Sequence, residues 1–205
     1  MPVIAVANPK GGVGKSTLAT NIAGWYASRG LAVMLGDIDR QQSSRTWLGL
    51  RPAGAPPITT WDISHDHIAR PPRGTTHVVL DTPAGLHGKK LDEVMRLVDK
   101  VIVPLQPSIF DIHATHPFVT SLVERKRHAD VSIAVVGMRA RDGTISADQL
   151  AQFVQTLPVP MLGMLRDTQN YVHIAARGLT LWDVAPSRVE RDVAQWQPIL
   201  EWLER

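Results

Sequence analysis

The 205-residue sequence contains no cysteine, no long apolar run and few aromatic residues. Without cysteine, a disulfide framework, a thiolate nucleophile, a zinc site with cysteine ligands and a cysteine-held iron–sulfur cluster are all excluded. No stretch approaches the roughly 18 consecutive apolar residues that suggest a membrane-spanning helix. The first residues have neither the basic segment nor the small-residue cleavage site of a secretory signal, so we expect a cytoplasmic protein.

What is present is an ordinary globular composition, with 44% hydrophobic and 20% charged residues and a formal net charge of +3. The length is sufficient for one sizeable buried core and short for two, so we expect a single domain over residues 1–205. The mild excess of basic residues does not by itself identify a partner.

Short apolar runs alternate with longer amphipathic segments, which predicts repeated strand–helix units. The runs are almost uninterruptedly apolar, as strands of a parallel sheet covered on both faces must be. Candidate strands cover residues 2–7, 31–36, 77–81, 101–105, 132–138 and 161–165. Candidate helices cover residues 16–29, 146–156 and 187–203, the last two beginning at capping-box patterns. Residues 51–76, with five prolines, predict an extended loop with room for one short strand. The pattern predicts an α/β fold, with a mostly parallel, twisted sheet flanked by helices on both faces.

A segment rich in glycine and lysine, residues 8–17, directly follows the first strand and opens the first helix. Its glycines allow backbone N–H groups to point inward, and the helix N-terminus adds positive potential, so the segment predicts a phosphate-binding loop and hence a P-loop fold. Lys15 would supply a point charge for the β- and γ-phosphates, and the Ser16 hydroxyl would bind Mg²⁺. The expected nucleotide-binding set is Lys10, Gly11, Gly12, Val13, Gly14, Lys15, Ser16 and Thr17.

The loop departs from the standard G-x-x-x-x-G-K-[ST] pattern, because Pro9 stands where the first glycine is expected. It carries instead a second lysine, Lys10, just before the paired glycines, in the pattern K-G-G-x-G-K-[ST]. This variant resembles the deviant Walker A motif of the ParA/MinD superfamily of ATPases, and in particular small ParA-like partition ATPases. The resemblance continues, in the order of the family, through residues 36–41, 78–83, 103–108 and 169–182.

The resemblance implies roles for the aspartates that follow two of the strands. Residues 36–41 look like the D-x-D-P-Q segment of the family, with Arg40 in place of the usual proline. Asp39 would then orient the attacking water and help to hold Mg²⁺. Asp81, at the carboxyl end of the third strand, would anchor Mg²⁺ from its outer shell. Asp37 could be functional or structural.

The same resemblance implies an ATPase that acts as an ATP-dependent homodimer. A single phosphate loop with Mg²⁺ stabilises the transition state only weakly, so a further cation is needed. In the family this cation is the signature lysine, here Lys10, which reaches across the dimer to the partner's phosphates. The expected catalytic set is Lys10, Lys15 and Asp39. An ion pair between Lys10 and an acid of its own chain would remove this argument for a dimer.

Small ParA-like ATPases bind DNA nonspecifically as ATP dimers and are released when an adaptor stimulates hydrolysis. The resemblance therefore implies weak ATPase activity, stimulation by a ParB-like or cargo-adaptor protein, association with the nucleoid, and partition of a plasmid, chromosome or protein cargo. DNA binding needs a basic surface that dimerisation makes continuous. Candidates for this surface are Arg125, Lys126, Arg127, Arg139, Arg141 and Arg166, together with Arg177, Arg188 and Arg191. The alternative is that residues 125–127 complement a helix C-terminus and that the other arginines are solvated surface.

Two other functions stay open at this point. A MinD-like membrane cycle needs an amphipathic, lysine-rich C-terminal helix, whereas residues 191–205 contain no lysine, so we expect this segment to pack in the core and not to bind membrane. A ligase or kinase of the same superfamily is the second alternative, because nothing determines whether water or a metabolite accepts the phosphoryl group. Recognition of adenine is also open, since Met138 and Arg139 stand where the family typically has an asparagine.

Overall fold

The computed structural model of the protein describes residues 1–61, 63–64, 67–68, 71–126, 130–141 and 143–205. In chain order its strands are β1 (Val3–Val6), β2 (Val33–Asp37), β3 (Ile58–Trp61), β4 (Ile63–Ser64), β5 (His67–Ile68), β6 (His77–Asp81), β7 (Lys100–Leu105), β8 (Ser132–Ala140) and β9 (Met161–Arg166). Seven strands form one sheet in the order β3-β2-β6-β1-β7-β8-β9, in which every pair is parallel. The strands β4 and β5 pair separately, as a short antiparallel hairpin.

Helices connect the strands of the sheet. In chain order they are α1 (Lys15–Ser28), α2 (Ser43–Gly49), α3 (Gly88–Met95), α4 (Ile109–Lys126), α5 (Ile145–Val154), α6 (Gln169–Ala175) and α7 (Pro186–Glu204), with a 3-10 turn at Leu181–Asp183. The predicted α/β fold with a parallel sheet is confirmed by this arrangement.

Hydrophobic clusters cover both faces of the sheet. Along β1, Ala5 belongs to one cluster while its neighbours Ile4 and Val6 belong to the other, because successive side chains of a strand point to opposite faces. The first cluster includes Leu122 of α4, and the second includes Leu18 of α1. Burial on both faces explains why the strands read as continuous apolar runs.

The last helix, α7, packs its apolar residues into the core. Trp196, Ile199, Leu200 and Leu203 are all buried, as expected for this segment from its sequence. The ammonium group of Lys100 donates hydrogen bonds to two carbonyl groups in the last turn of α7, at 2.7 and 2.9 Å. Among the described residues, no helix combines the length and the apolar character needed to cross a bilayer.

The helix starts differ from the sequence-based expectations. Both predicted capping boxes are wrong: α5 is capped by Thr144, whose hydroxyl accepts from the backbone N–H of Ala147, and α7 begins at Pro186 without a side-chain cap. Proline is favourable in a first helical turn because it has no N–H to leave unpaired. The helix α4 continues through Pro117 in its interior.

The parallel strands bring their carboxyl ends to one edge of the sheet. The strand β1 lies between β6 and β7, and the chain leaves it for β2 on one side and later returns to β7, β8 and β9 on the other side. The loop after β1 therefore lies where the strand order reverses, which is where open α/β sheets bind their ligands.

Candidate functional site

The loop between β1 and α1 is held in shape by contacts from the neighbouring strands. Gly12 and Gly14 have φ values of 75° and 100°, in the left-handed region that favours glycine. The amide of Asn8 is buried and donates to the carbonyl of Pro104 at 2.7 Å, while its oxygen accepts from the backbone N–H of Lys10 at 2.8 Å. The geometry is that of a phosphate-binding loop at a helix N-terminus.

The loop forms the floor of a pocket of about 420 Å³. The pocket is lined by Gly11, Gly12, Gly14, Lys15, Ser16, Thr17, Asp39, Gln41, Ser43, Ala84 and Arg139. Burial lowers the pKa of Lys15, and the carboxylates of Asp81 and Asp39 partly oppose this shift. The ammonium of Lys15 donates to the carbonyl of Lys10 at 2.7 Å, which leaves it further donors for an anion.

The carboxyl group of Asp81 is buried beside this pocket and fits a divalent cation. Its Oδ2 accepts from the Ser44 hydroxyl at 2.6 Å, whereas its Oδ1 has no hydrogen-bond partner within the described part of the chain. Burial raises the pKa of Asp81 to about 6, and the hydroxyls of Ser16 and Ser44 oppose the shift. A buried, unpaired carboxylate oxygen near a serine of the loop is the oxygen chemistry that Mg²⁺ binds, directly or through water.

Asp37 and Asp39 occupy different environments. Both carboxylate oxygens of Asp37 accept backbone N–H groups, from Asp39 on one side and from Ser44 and Arg45 in the first turn of α2 on the other. Asp37 therefore shapes the loop and caps α2. Asp39 lines the phosphate pocket and accepts only the backbone N–H of Gln41, at 3.0 Å, among the hydrogen bonds of the described residues.

Lys10 lies outside the lining of the phosphate pocket, and its side chain turns to α4. Its Nζ is 3.3 Å from Oδ1 of Asp111, with 38% of the lysine side chain and 9% of the aspartate side chain exposed. This intramolecular ion pair removes the argument for a dimer that rested on a free Lys10. Because Asp111 is buried, leaving its carboxylate without a counter-ion is unfavourable, so the pair holds Lys10 against α4.

The structure does not bring the predicted DNA-binding residues together. Arg139, Arg141 and Arg166 lie at the carboxyl ends of β8 and β9, on the edge that carries the phosphate pocket. Arg125 lies in the last turn of α4, which runs back to the start of β8, and so at the opposite edge. Lys126 ends the same helix, and Arg127 lies outside the described residues.

Three of the candidate arginines form ion pairs with aspartates of the same chain. The ion pairs are Arg125 with Asp92, Arg141 with Asp167, and Arg166 with Asp192. Asp192 is fully buried, so Arg166 is anchored, whereas Arg141 keeps 76% of its side chain exposed. The roles of all these residues in DNA binding stay predictions.

Sequence reasoning missed three residues that hold the loop in place, two of which, Gln106 and Asp111, are far from it in the sequence. Asn8, Gln106 and Asp111 contact the loop or its lysine, and the Gln106 amide donates to the carbonyl of Gly12 at 2.9 Å. Gln106 lies in the segment that carries the family resemblance, but that resemblance assigns it no contact. The partners of Asn8 and Asp111 are about a hundred positions away in the sequence, so no local spacing indicates these contacts.

Comparisons with known proteins agree with the site. Residues 4–181 match the CobQ/CobB/MinD/ParA nucleotide binding domain. "Maintenance of carboxysome distribution protein A" of Halothiobacillus neapolitanus is 29% identical over 167 residues, which cover 78% of this chain and 76% of that protein. The protein of the same name from Gloeobacter kilaueensis is 34% identical over 113 residues, 54% of this chain, and this match spans about half, 51%, of that protein's length.

The fold is shared with a solved structure of a putative plasmid partition protein from Borrelia burgdorferi bound to AMPPNP. The TM-score is 0.74 and the alignment covers 98% of both chains, at 18% identity. The domain match covers most of the chain and includes the phosphate-binding loop, the two aspartate segments and the strands that carry them. The chain therefore belongs to the CobQ/CobB/MinD/ParA nucleotide-binding family, and within it resembles the P-loop ATPases of the ParA/MinD group that position cellular cargo.

Proposed function

We propose that this chain is an ATP-dependent switch, which closes into a homodimer with ATP, binds DNA nonspecifically in that state, and positions a cargo by hydrolysing ATP. The observation that carries the proposal is the phosphate pocket, in which Lys15 and Ser16 of the loop lie with Asp39. Lys15 lines the phosphate pocket, whereas Lys10 lies outside it with 38% of its side chain exposed. Lys10 must leave Asp111 before it can reach the phosphates of a second subunit, so the proposed dimer rests on the resemblance to the ParA/MinD family.

The residues of the pocket support the hydrolysis of ATP. Lys15 and the backbone N–H groups of the loop would hold the β- and γ-phosphates, and Asp39 would orient the attacking water. Ser16, Asp39 and Asp81 would hold Mg²⁺, which neutralises charge on the phosphates when it is bound. Without a second cation from Lys10 of a partner subunit, we expect hydrolysis to be slow.

An exposed apolar rim supports dimerisation through the edge that carries the pocket. Ile109 and Phe110 begin α4, Ile145 begins α5, and Val172 lies in α6, all at the carboxyl ends of their preceding strands. Their exposed fractions are 52%, 74%, 79% and 57%, which is high for large apolar residues. Burial of this rim against a second copy would stabilise the dimer through the hydrophobic effect.

A basic surface for DNA would become larger when two subunits join. Arg141 is the candidate best placed for this, because its guanidinium is mostly exposed and its ion pair with Asp167 is at the surface. Nonspecific binding rests on contacts with phosphates, so doubling the number of arginines should increase affinity steeply. We propose that a partner protein stimulates hydrolysis and releases this dimer, as the resemblance to ParA-like ATPases implies.

The cargo that we propose is a plasmid, a chromosome or a large protein body. The names of the relatives refer to the distribution of carboxysomes and to plasmid partition, and both are transport tasks for a switch of this kind. A membrane cycle is disfavoured, because the apolar residues of α7 are buried in the core.

Binding of a fluorescent DNA duplex of random sequence, measured by anisotropy with ATP or ADP, tests the proposal. We expect binding with ATP only, and a steep fall in affinity between about 50 and 200 mM salt. Lys15→Gln should abolish the ATP dependence. Arg96→Gln, which removes one exposed positive charge at the end of α3 and lies outside the candidate DNA-binding set, serves as the control for net charge.

Parallel sedimentation with anionic vesicles separates the membrane alternative from the DNA switch. Equal DNA binding with ADP and ATP, or binding to vesicles in place of DNA, would refute the proposal. A phosphate-release assay without any added metabolite tests the ligase or kinase alternative. Hydrolysis to ADP and phosphate needs only water as the acceptor, so release of phosphate under these conditions would argue against that alternative.

A further inference from the structure

The backbone of Arg139, near the carboxyl end of β8, departs from regular strand geometry. Its φ of 52° lies in the left-handed region, which is uncommon for residues other than glycine. The pairing of β8 with β9 also shifts register between Gly137 and Ala140. Irregularities of this kind re-aim a side chain and are common next to active sites.

Arg139 lines three pockets. One is the phosphate pocket, the second is a pocket of about 400 Å³ between the start of α1 and α6, and the third adjoins Gln106 and Arg141. Gly14 and Thr17 of the loop line the first two pockets together with Arg139. A molecule whose phosphates lie on the loop can therefore extend past Arg139 into the second pocket.

The second pocket has the mixed character of a nucleoside site. Its apolar lining comes from Met138, Tyr171, Val172 and Ala175. Its polar lining comes from Arg166, Asp167, Thr168 and Gln169, in the segment after β9 and at the start of α6. Apolar surface with a few polar groups is typical of pockets that bind small molecules.

The side chain of Arg139 is exposed near the carboxyl end of β8. Within the part of the chain that the structure describes, Arg139 forms no ion pair, whereas Arg141 and Arg166 both do. Its guanidinium is thus free to contact a ligand, although its backbone conformation costs free energy.

The preceding residue, Met138, cannot supply polar recognition of a base. It is 4% exposed, and its methyl carbon would lie 2.6 Å from a Cβ placed on Gly14, so it packs closely against the loop. A thioether is at best a weak acceptor and donates no hydrogen bond. The pocket therefore offers an apolar wall at this position and a guanidinium at the next.

We infer that Arg139 holds the nucleoside part of the nucleotide, with its guanidinium plane against the face of the base in the pocket between α1 and α6. Arginine stacks on aromatic rings through its planar, weakly hydrated cation. This inference rests on the proposed binding of ATP at the loop. It places Arg139 in the nucleotide site and not in the DNA-binding surface, and it predicts that purines bind more tightly than pyrimidines because they offer a larger face.

Calorimetric titration of ATP, ADP, CTP and inorganic tripolyphosphate, all with Mg²⁺, tests the inference in Arg139→Gly and Arg139→Lys variants. Glycine adopts the φ of this residue without strain, so the first variant should keep its thermal stability. We expect ATP and ADP to bind about 3- to 30-fold more weakly to Arg139→Gly, the range that cation–π contacts span, while tripolyphosphate binds as before. The preference for ATP over CTP should shrink, and Arg139→Lys should recover only part of the affinity.

The control for net charge is Arg177→Ala, at the exposed end of α6 and outside both pockets. Unchanged affinity of Arg139→Gly for ADP would overturn the inference, and so would an equal loss for ADP and tripolyphosphate, which would place the guanidinium on the phosphates. If the unaltered protein bound neither ATP nor tripolyphosphate, the proposed function itself would fail, and the inference with it.

Discussion

Asp111→Asn should strengthen ATP-dependent dimerisation, because it removes the carboxylate that holds Lys10 within its own subunit. The Nζ–Oδ1 distance of 3.3 Å is longer than the roughly 2.8 Å of a strong charge-assisted hydrogen bond. To reach the phosphates of a partner, Lys10 must leave Asp111 and expose a partly buried carboxylate without its counter-ion. Asparagine keeps the size and a hydrogen-bonding group of the side chain but has no charge to leave unpaired.

The size of the effect follows from the exposure of the two side chains. Exposed ion pairs contribute up to about 1 kcal/mol, and the burial of Asp111 places this pair at least at the top of that range. A dimer with two exchanged lysines loses two such pairs. Asp111→Asn should therefore stabilise the dimer by at least about 2 kcal/mol, which lowers its dissociation constant by about 30-fold or more.

Sedimentation velocity with a non-hydrolysable ATP analogue measures this constant directly. Asp92→Asn is the matched control, because it breaks the ion pair with Arg125 at the opposite edge of the sheet and should leave dimerisation unchanged. In the double variant with Lys10→Ala, the gain from Asp111→Asn should vanish. A dimer that forms equally well in Asp111→Asn and in the unaltered protein would refute the reasoning, as would undiminished dimerisation of Lys10→Ala.

Three further predictions concern stability and turnover. Gly178→Ala should lower the free energy of unfolding in urea by about 2–4 kcal/mol, because the residue has a φ of +67° and an added Cβ would lie 2.4 Å from the Leu50 backbone. Gly54→Ala is the control, because a Cβ at Gly54 would meet no atom within 4 Å, and it should change the stability little. Burial raises the pKa of Asp81 to about 6, so its stabilising effect is present below about pH 4 and is lost as the pH rises through 6. Relative to Asp81→Asn, the nucleotide-free protein should lose about 3 kcal/mol of unfolding free energy from pH 4 to 7, and a constant difference would contradict this. Asp39→Ala should bind ATP and dimerise without turnover, so size-exclusion chromatography with ATP should show a persistent dimer, and a monomer would count against the role of this carboxylate.

The fold was largely predictable from the sequence, because strands buried on both faces leave an unmistakable apolar pattern. The first residues of the helices were less predictable. Which residue caps a helix depends on the path of the chain before the helix, and the local sequence pattern does not determine that path. Thr144 and Pro186 start their helices where the capping-box patterns indicated other residues. The helix α4 contains Pro117, which disfavours a helix locally, but the burial of Phe118 and Leu122 in the core compensates for this cost. The assignment of residues 1–205 to one domain stays a prediction.

The candidate site was predictable where its chemistry is local in the sequence. The loop with Lys15 and Ser16 follows directly from its motif, and the structure gathers it with Asp39 and Asp81 at one edge of the sheet. The environment of each side chain was not predictable: two aspartates two positions apart differ because only Asp37 is surrounded by backbone N–H groups. The separation of the basic residues to opposite edges also depends on the direction of α4, which no charge pattern encodes.

Residues 106–111, which follow β7 and include the first residues of α4, contact the loop at two points. At one end, the Gln106 amide donates a hydrogen bond to the carbonyl of Gly12, and at the other end Asp111 forms an ion pair with Lys10. Between them, the large apolar side chains of Ile109 and Phe110 are exposed. If nucleotide binding rearranges the loop, both contacts of residues 106–111 would change with it. The exposed side chains of Ile109 and Phe110 would then shift, so a neighbouring molecule could respond to the bound nucleotide without contacting it.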